Sequence, residues 1–211
     1  METVINKLKS ILSNELPGMS EHLKMTPYRA LTKIIPENRR EGSVLLMLYK
    51  KNGDWYFPLM QRQDYEGVHA NQISFPGGKI EQEDLTKYDT ALRETFEEIG
   101  VESCKIECVG ELSEIYIPPS NFLVSAFVGV CVEPPIFVKE EKEVKEIIEV
   151  AVSDLFDPEI VKETKVKLKG GILLKTPYLE LNNKVVWGAT AAILAEFMSL
   201  VKNDGSMFQM T

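Results

Sequence analysis

The sequence has few of the residues that form disulfides or bind transition metals. Two histidines and three cysteines occur among its 211 residues. An odd, widely spaced set of cysteines does not suggest a disulfide framework. The pair Cys104 and Cys108 has no histidine at metal-ligand spacing, so no zinc site is predicted. We expect the three cysteines to be free and buried.

Long apolar runs and an excess of positive charge are absent as well. No apolar stretch approaches the roughly 20 residues that span a bilayer, and the first residues lack the apolar segment of a secretory signal. Acidic residues number 32 and basic residues 24, which gives a formal charge of −8. A protein that coats nucleic acid needs a basic face. We therefore expect a cytoplasmic protein with no nucleic-acid or membrane partner. A nucleotide substrate stays compatible with the charge, because a bound metal can invert its local sign.

One segment concentrates negative charge between glycines. Glu94, Glu97 and Glu98 stand at positions i, i+3 and i+4, so on a helix they fall within an arc of about 100°. Such carboxylates repel one another, and a divalent cation relieves that repulsion. A glycine pair precedes the segment, and Gly100 suits the end of a helix. The alternative is a solvated acidic surface, which is the commoner reading of three such glutamates on their own.

The same segment carries apolar residues at helical spacing. Residues three and four apart share one face of a helix, and this pattern predicts a packed face opposite the glutamates, made of Leu85, Tyr88, Leu92, Phe96 and Ile99. Asp84 or Thr86 can cap the N-terminus of the helix.

Taken together, these residues resemble the Nudix box, the metal-binding signature of the Nudix hydrolase family. The matching residues are Gly78, Asp84, Arg93, Glu94, Glu97, Glu98 and Gly100. Asp84 stands where the family has glutamate, the spacer before Arg93 is one residue longer, and Thr95 replaces an apolar residue.

The resemblance implies a catalytic centre with Mg²⁺ or Mn²⁺ as cofactor. Glu94 and Glu98 would be the chief metal ligands, joined by Glu97 and the carbonyl oxygen of Gly78. Hard cations of this kind prefer oxygen ligands. Arg93 would orient the glutamates by ion pairing, without contacting substrate.

The residues before the box narrow the resemblance to the coenzyme A pyrophosphatase branch. Arg62 and the run Phe75-Pro76-Gly77-Gly78 match the extra motif of that branch, whereas Gly67 and Asn71 stand where it has arginine and glycine. The branch cleaves coenzyme A or its derivatives to 3′,5′-ADP and (acyl-)4′-phosphopantetheine. The substrate-binding residues expected for this small-molecule, nucleotide-type partner are Arg62, His69, Phe75, Gly77 and Lys79.

The sequence is also compatible with two other functions. The chain could hydrolyse another nucleoside diphosphate such as ADP-ribose, or it could be a Nudix-fold module that binds a nucleotide without cleaving it. The general base also stays open. A base need only reach the attacking water, and the candidates are Glu97, Glu143, Glu146 and Glu149.

A single domain over residues 1–211 is expected. Residues 1–40 would form an N-terminal helix and an arm, residues 41–201 the Nudix core, and residues 202–211 a frayed tail. The N-terminal helix, with its apolar side, could pack on its own domain or on a second subunit, which makes a homodimer possible. Strands alternate with two main helices, which gives an α/β (α+β) class. The resemblance implies the Nudix α/β/α sandwich, with a mixed β-sheet and a loop-helix-loop box.

Overall fold

The computed structural model describes residues 1–26, 34–64, 71–167, 171, 173–202 and 207–208. Its helices are α1 (Glu2–Leu12), α2 (Met19–His22), α3 (Lys87–Ile99) and α4 (Gly188–Val201). Its strands are β1 (Arg40–Lys51), β2 (Asp54–Arg62), β3 (Ile73–Ser74), β4 (Gly77–Lys79), β5 (Ile106–Glu111), β6 (Ile115–Ile117), β7 (Phe122–Cys131), β8 (Val144–Ala151), β9 (Val161–Lys167), β10 (Leu173–Leu181) and β11 (Lys184–Val186).

The strands form a large mixed sheet and a small antiparallel one. The main sheet runs β3-β2-β1-β7-β5, with β4 paired to β1, β6 to β7 and β8 to β2. Only the β1–β7 pair of this sheet is parallel within the described chain. The second sheet has the order β11-β10-β9. Asn52 and Gly53 both have positive φ, as a tight turn between β1 and β2 requires.

The main sheet is covered on both faces. Alternate residues of a strand point to opposite faces, and in β1 the residues Leu45 and Met47 pack on the side of α3, while Leu46 and Leu48 join the core on the side of α1 and α4. The arrangement is therefore the expected α/β/α sandwich.

Parts of both terminal segments pack against the domain. Helix α1 buries Val4, Ile5, Leu8 and Leu12 within the single-chain core, so the apolar face that suggested a second subunit is already covered. In the segment expected to be a frayed tail, Met207 and Phe208 are buried, and the Phe208 ring lies 6.0 Å from that of Trp55.

The predicted packed face of α3 is right for Ile99, Tyr88 and Leu92, which pack in or against the core, and wrong for Leu85 and Phe96. Leu85 lies before the helix and is 92% exposed, and Phe96 is 54% exposed. The buried residues of the helix are Thr90, Ala91, Thr95, Glu98 and Ile99. Three polar residues thus lie on the inner face: Thr90, Thr95 and Glu98. Thr95 can lie there because its hydroxyl donates to the Ala91 carbonyl at 2.6 Å. Hydrophobicity alone therefore missed the buried polar positions and misplaced Leu85 and Phe96.

The cysteines and the helix lengths bear on two further expectations. Cys131 is buried, but Cys104 and Cys108 are exposed, so the expectation of three buried thiols is wrong for two of them. Among the described residues, no helix combines the length and apolar character needed to cross a membrane.

Candidate active site

Helix α3 is fixed at both ends, and this holds its glutamates in place. The Thr86 hydroxyl accepts from the Asp89 backbone N–H, and the Asp89 carboxylate accepts from the Thr86 backbone N–H. This reciprocal capping box satisfies donors that a helix start leaves unpaired. At the other end Gly100 adopts φ 76°, the left-handed conformation that glycine takes most readily.

Arg93 links the acidic residues to the loop before the helix. Its guanidinium makes two hydrogen bonds to Asp84, each 3.0 Å, and donates to Glu94 and Glu97 at 3.0 Å each. It also donates to the Lys79 carbonyl at 3.0 Å. The hydrogen bond from Arg93 holds the pKa of Asp84 well below its usual range. Asp84, the aspartate that stands where the family has glutamate, is therefore the strongest partner of Arg93. Its position in the sequence did not indicate this role.

Glu98 is the buried member of the glutamate set. Its residue is 1% exposed, and its carboxylate accepts from the Gly77 backbone N–H at 2.8 Å and from Arg62 at 3.3 Å. Gly77 has φ 150°, and a methyl group there would overlap the Ser43 carbonyl oxygen and the Val44 backbone. Only glycine allows the loop to approach β1 this closely while offering its N–H to Glu98.

Electrostatics favours the neutral form of this carboxyl group. Burial raises the pKa of Glu98 to about 8, with contributions from Glu94 and Glu143, although Arg62 and the Gly77 N–H oppose the shift. Burial also raises the pKa of Glu94, and Glu97 and Glu143 add to that effect. A cluster in which carboxylates disfavour one another's charge is a common mark of a functional site.

Of the three downstream candidates for general base, Glu143 is the one near the acidic helix. It lies in the turn before β8, close enough to Glu94 and Glu98 to influence both. This turn is tied to the end of α3, because Glu140 N–H donates to the Glu98 carbonyl at 2.9 Å. Glu146 pairs instead with Lys184, and Glu149 with Tyr49 and Lys51. From the sequence alone, these three glutamates were equal candidates for the general base.

The remaining expected site residues have different placements. Gly78 faces Glu94 so closely that a methyl group on it would overlap the carboxylate. The Lys79 residue is exposed. Phe75 is 1% exposed and packs in the core, with its ring 6.5 Å from that of Phe57. His69 and Gly67 lie outside the described residues.

The donor set fits a hard divalent cation in its chemistry. Glu94, Glu97, Glu98 and the Gly78 carbonyl supply oxygen atoms, the ligands that Mg²⁺ and Mn²⁺ prefer. Within the ranges that the structure describes, however, no three acidic, histidine or cysteine side chains are gathered in a metal-holding arrangement. The glutamates are engaged by arginines instead: Glu94 and Glu97 by Arg93, and Glu98 by Arg62.

Comparison with known proteins shows the family of this chain. The family model of the Nudix domain matches residues 39–169, which include both the β1–β2 hairpin and the complete acidic helix. The chain belongs to the Nudix family. The resemblance at the level of the box is thus confirmed.

Curated relatives agree with that assignment. The chain is 29% identical over 136 residues to a Nudix hydrolase, NudL, of Yersinia enterocolitica, covering 64% of this chain and 69% of that protein. It is 29% identical over 189 residues to a probable Nudix hydrolase of Schizosaccharomyces pombe, covering 78% of this chain. The match spans 57% of the yeast protein's own length.

Solved structures show the same fold at low sequence identity. A MutT/Nudix family protein from Enterococcus faecalis is 16% identical with a TM-score of 0.55, over 83% of this chain and 66% of that one. An Ap4A hydrolase from C. elegans is 14% identical with a TM-score of 0.51, over 78% of this chain and 98% of that one. The Nudix fold is therefore shown.

Proposed function

We propose that this Nudix protein is a hydrolase that cleaves a pyrophosphate linked to a nucleoside and requires a divalent cation. The observation that carries the proposal is the buried Glu98 carboxylate on the acidic helix of the matched Nudix domain, held by the Gly77 N–H at 2.8 Å and by Arg62 at 3.3 Å. Protein interiors rarely keep a buried carboxylate unless a cation or a proton compensates it. Relatives named as Nudix hydrolases support the same reading.

Glu94 and Glu98 would hold the cation, with Glu97 and the Gly78 carbonyl as further ligands. When bound, Mg²⁺ or Mn²⁺ would neutralise phosphate oxygens and make water a better nucleophile. Arg93 acts without touching substrate. Its hydrogen bonds to Asp84 and to the Lys79 carbonyl fix the guanidinium, which in turn orients Glu94 and Glu97.

Glu143 is the general base in this proposal. It is exposed and lies near the two principal glutamates, while Glu146 and Glu149 are engaged by lysines elsewhere on the sheet. Glu97 is held by Arg93. A base with access to solvent can accept the proton of the attacking water.

Coenzyme A or one of its derivatives is the proposed substrate, with 3′,5′-ADP and (acyl-)4′-phosphopantetheine as products. Arg62 supports this choice, because it matches the motif of that branch and presents a partly exposed guanidinium beside Glu98. Lys79, which is exposed next to the glycine pair, could add a contact to the diphosphate. The Gly77 N–H holds the Glu98 carboxylate beside this diphosphate site.

Product analysis tests this proposal. The purified protein is incubated with coenzyme A and Mg²⁺ or Mn²⁺, and the products are separated by chromatography. We expect 3′,5′-ADP. Cleavage of ADP-ribose or a dinucleoside polyphosphate with coenzyme A left intact would keep the chemistry and overturn the substrate. Binding of all these compounds without turnover at saturating metal would contradict the hydrolase and favour a binding module.

A further inference from the structure

Arg62 lies at an irregularity at the end of β2, on the face of the strand that packs on α3. Met60, two residues earlier, packs in the core cluster that contains Ala91 and Ile99 of α3, so the side chains of this register face the helix. Between Gln61 and Arg62 the pairing with β8 shifts, from Gln61 with Glu146 to Arg62 with Val144. Such bulges commonly redirect a side chain beside an active site. Gln61 points elsewhere and contacts Lys184.

The two arginines of the site are held very differently. Arg93 makes hydrogen bonds to three carboxylates and to a backbone carbonyl, including a two-bond contact with Asp84. Among the described residues, Arg62 makes one side-chain contact at the site, 3.3 Å from its Nη1 to Glu98 Oε1. Its side chain is 24% exposed, whereas that of Glu98 is 1% exposed. Arg62 is therefore held less firmly than Arg93 and can turn to solvent when another cation takes its place at Glu98.

Glu98 nevertheless needs a cation when it is ionised. A buried carboxylate without a positive partner is strongly unfavourable, and Arg62 is the positive side chain that forms an ion pair with it among the described residues. A divalent cation at the same carboxylate would meet the guanidinium as a like charge at short range. The two therefore compete for Glu98.

We propose that Arg62 is an exchangeable counter-cation, which compensates Glu98 in the metal-free protein and gives up this carboxylate when a divalent cation binds. The freed guanidinium is then available to the phosphate oxygens of the substrate, with which it pairs well. This inference rests on the proposed function in one respect, that Glu98 is a metal ligand.

Thermal unfolding at pH 9 tests the exchange without any substrate. The protein and its Arg62→Gln variant are compared in EDTA and in saturating Mg²⁺. We expect Arg62→Gln to lower the melting temperature by about 4 °C in EDTA and by under about 1 °C in Mg²⁺. Titration calorimetry should show Mg²⁺ binding about fivefold tighter in the variant, because the competing cation is gone. Arg62→Lys, which keeps the charge, should fall between the two.

Two controls separate exchange from a structural role. Lys51→Gln removes a cation that pairs with Glu149 at 2.9 Å on the same sheet, and its small effect should be equal in EDTA and Mg²⁺. In a Glu98→Gln background, Arg62→Gln should no longer matter in EDTA. An equal loss of stability with and without Mg²⁺, or weaker Mg²⁺ binding in Arg62→Gln, would overturn the inference. Absence of pyrophosphatase activity would instead count against the proposed function and leave these results standing.

Discussion

Two glutamates of this protein are equally buried but have opposite surroundings. Glu98 is 1% exposed and Glu196, on α4, is 0% exposed. Glu196 accepts hydrogen bonds from the Gly18 N–H at 3.1 Å and the Ser113 hydroxyl at 2.7 Å, and its Oε2 lies 2.9 Å from His22 Nε2. Although burial opposes it, these contacts from His22, Ser113 and Gly18 lower the pKa of Glu196. Around Glu98 the balance is reversed, and its pKa rises to about 8.

The difference shows how a structural carboxylate can be told from a functional one. Glu196 joins the N-terminal arm, the β5–β6 connection and α4, and the donors around it satisfy its charge. Glu98 faces other carboxylates and has only one backbone N–H and one loosely held arginine among the described residues. A buried acid that lacks sufficient donors stores unfavourable energy that a bound cation can relieve.

The largest effect is expected when the functional carboxylate is neutralised. Glu98→Gln should lower turnover by about a thousandfold, because several kcal/mol of transition-state stabilisation depend on the metal. The fold should be retained, since the change removes a charge that burial disfavours. Steady-state kinetics and circular dichroism test both points. Near-wild-type activity would show that the metal site is wrongly assigned.

Neutralising the proposed base should have the next largest effect on turnover. Glu143→Gln should lower kcat by about a hundredfold, the usual contribution of a general base, with Mg²⁺ affinity within about threefold of wild type. Glu146→Gln is the matched control on the same segment and should keep its activity, because Glu146 pairs with Lys184. Similar losses in both variants would remove the special role of Glu143.

Replacing Glu196, the structural carboxylate, should lower stability without changing catalysis. Glu196→Gln should lower the free energy of unfolding by about 3 kcal/mol, since it leaves buried donors poorly paired, while kcat of the folded protein stays unchanged. Because the folded-state pKa of Glu196 is lowered, its contribution is complete above the ordinary value of 4.5 and is lost as the pH falls through the folded-state value. Urea unfolding at neutral pH and at about pH 3 tests this. A stability difference that does not shrink in acid would contradict the account.

The smallest effect is expected on the outer side of α3. Phe96→Ala should change stability by no more than about 0.5 kcal/mol, because the ring is 54% exposed. Ile99→Ala, on the inner side, should cost about 2–5 kcal/mol. Urea unfolding of both variants distinguishes the two faces. A larger loss for Phe96→Ala than for Ile99→Ala would show that Phe96 is packed, as the apolar spacing predicted.

The sequence anticipated the local features that depend on a few adjacent residues. The turn at Asn52 and Gly53, the caps at Thr86 and Gly100, and the approximate ends of the helices follow from backbone preferences. The mixed sheet and its two covered faces were implied by the family resemblance and not by composition. The contacts of Arg93 with Glu94 and Glu97 were likewise implied by the family resemblance.

The sequence could not give what depends on contacts between distant segments. The burial of Glu98 on α3 was missed because it requires the Gly77 N–H and Arg62, which come from a loop and another strand. The selection of Glu143 depends on a turn tied to the end of α3. The Glu196 cluster joins residues from opposite ends of the chain, and its members are separated by up to 178 positions.

Titration calorimetry of Mg²⁺ against the wild-type protein and Glu98→Gln tests the central claim most directly. The account predicts saturable binding to the wild type, and binding at least tenfold weaker in Glu98→Gln, with both proteins folded. Equal affinities would contradict it, since the buried carboxylate would then be a second structural residue like Glu196 and not the centre of a cation site.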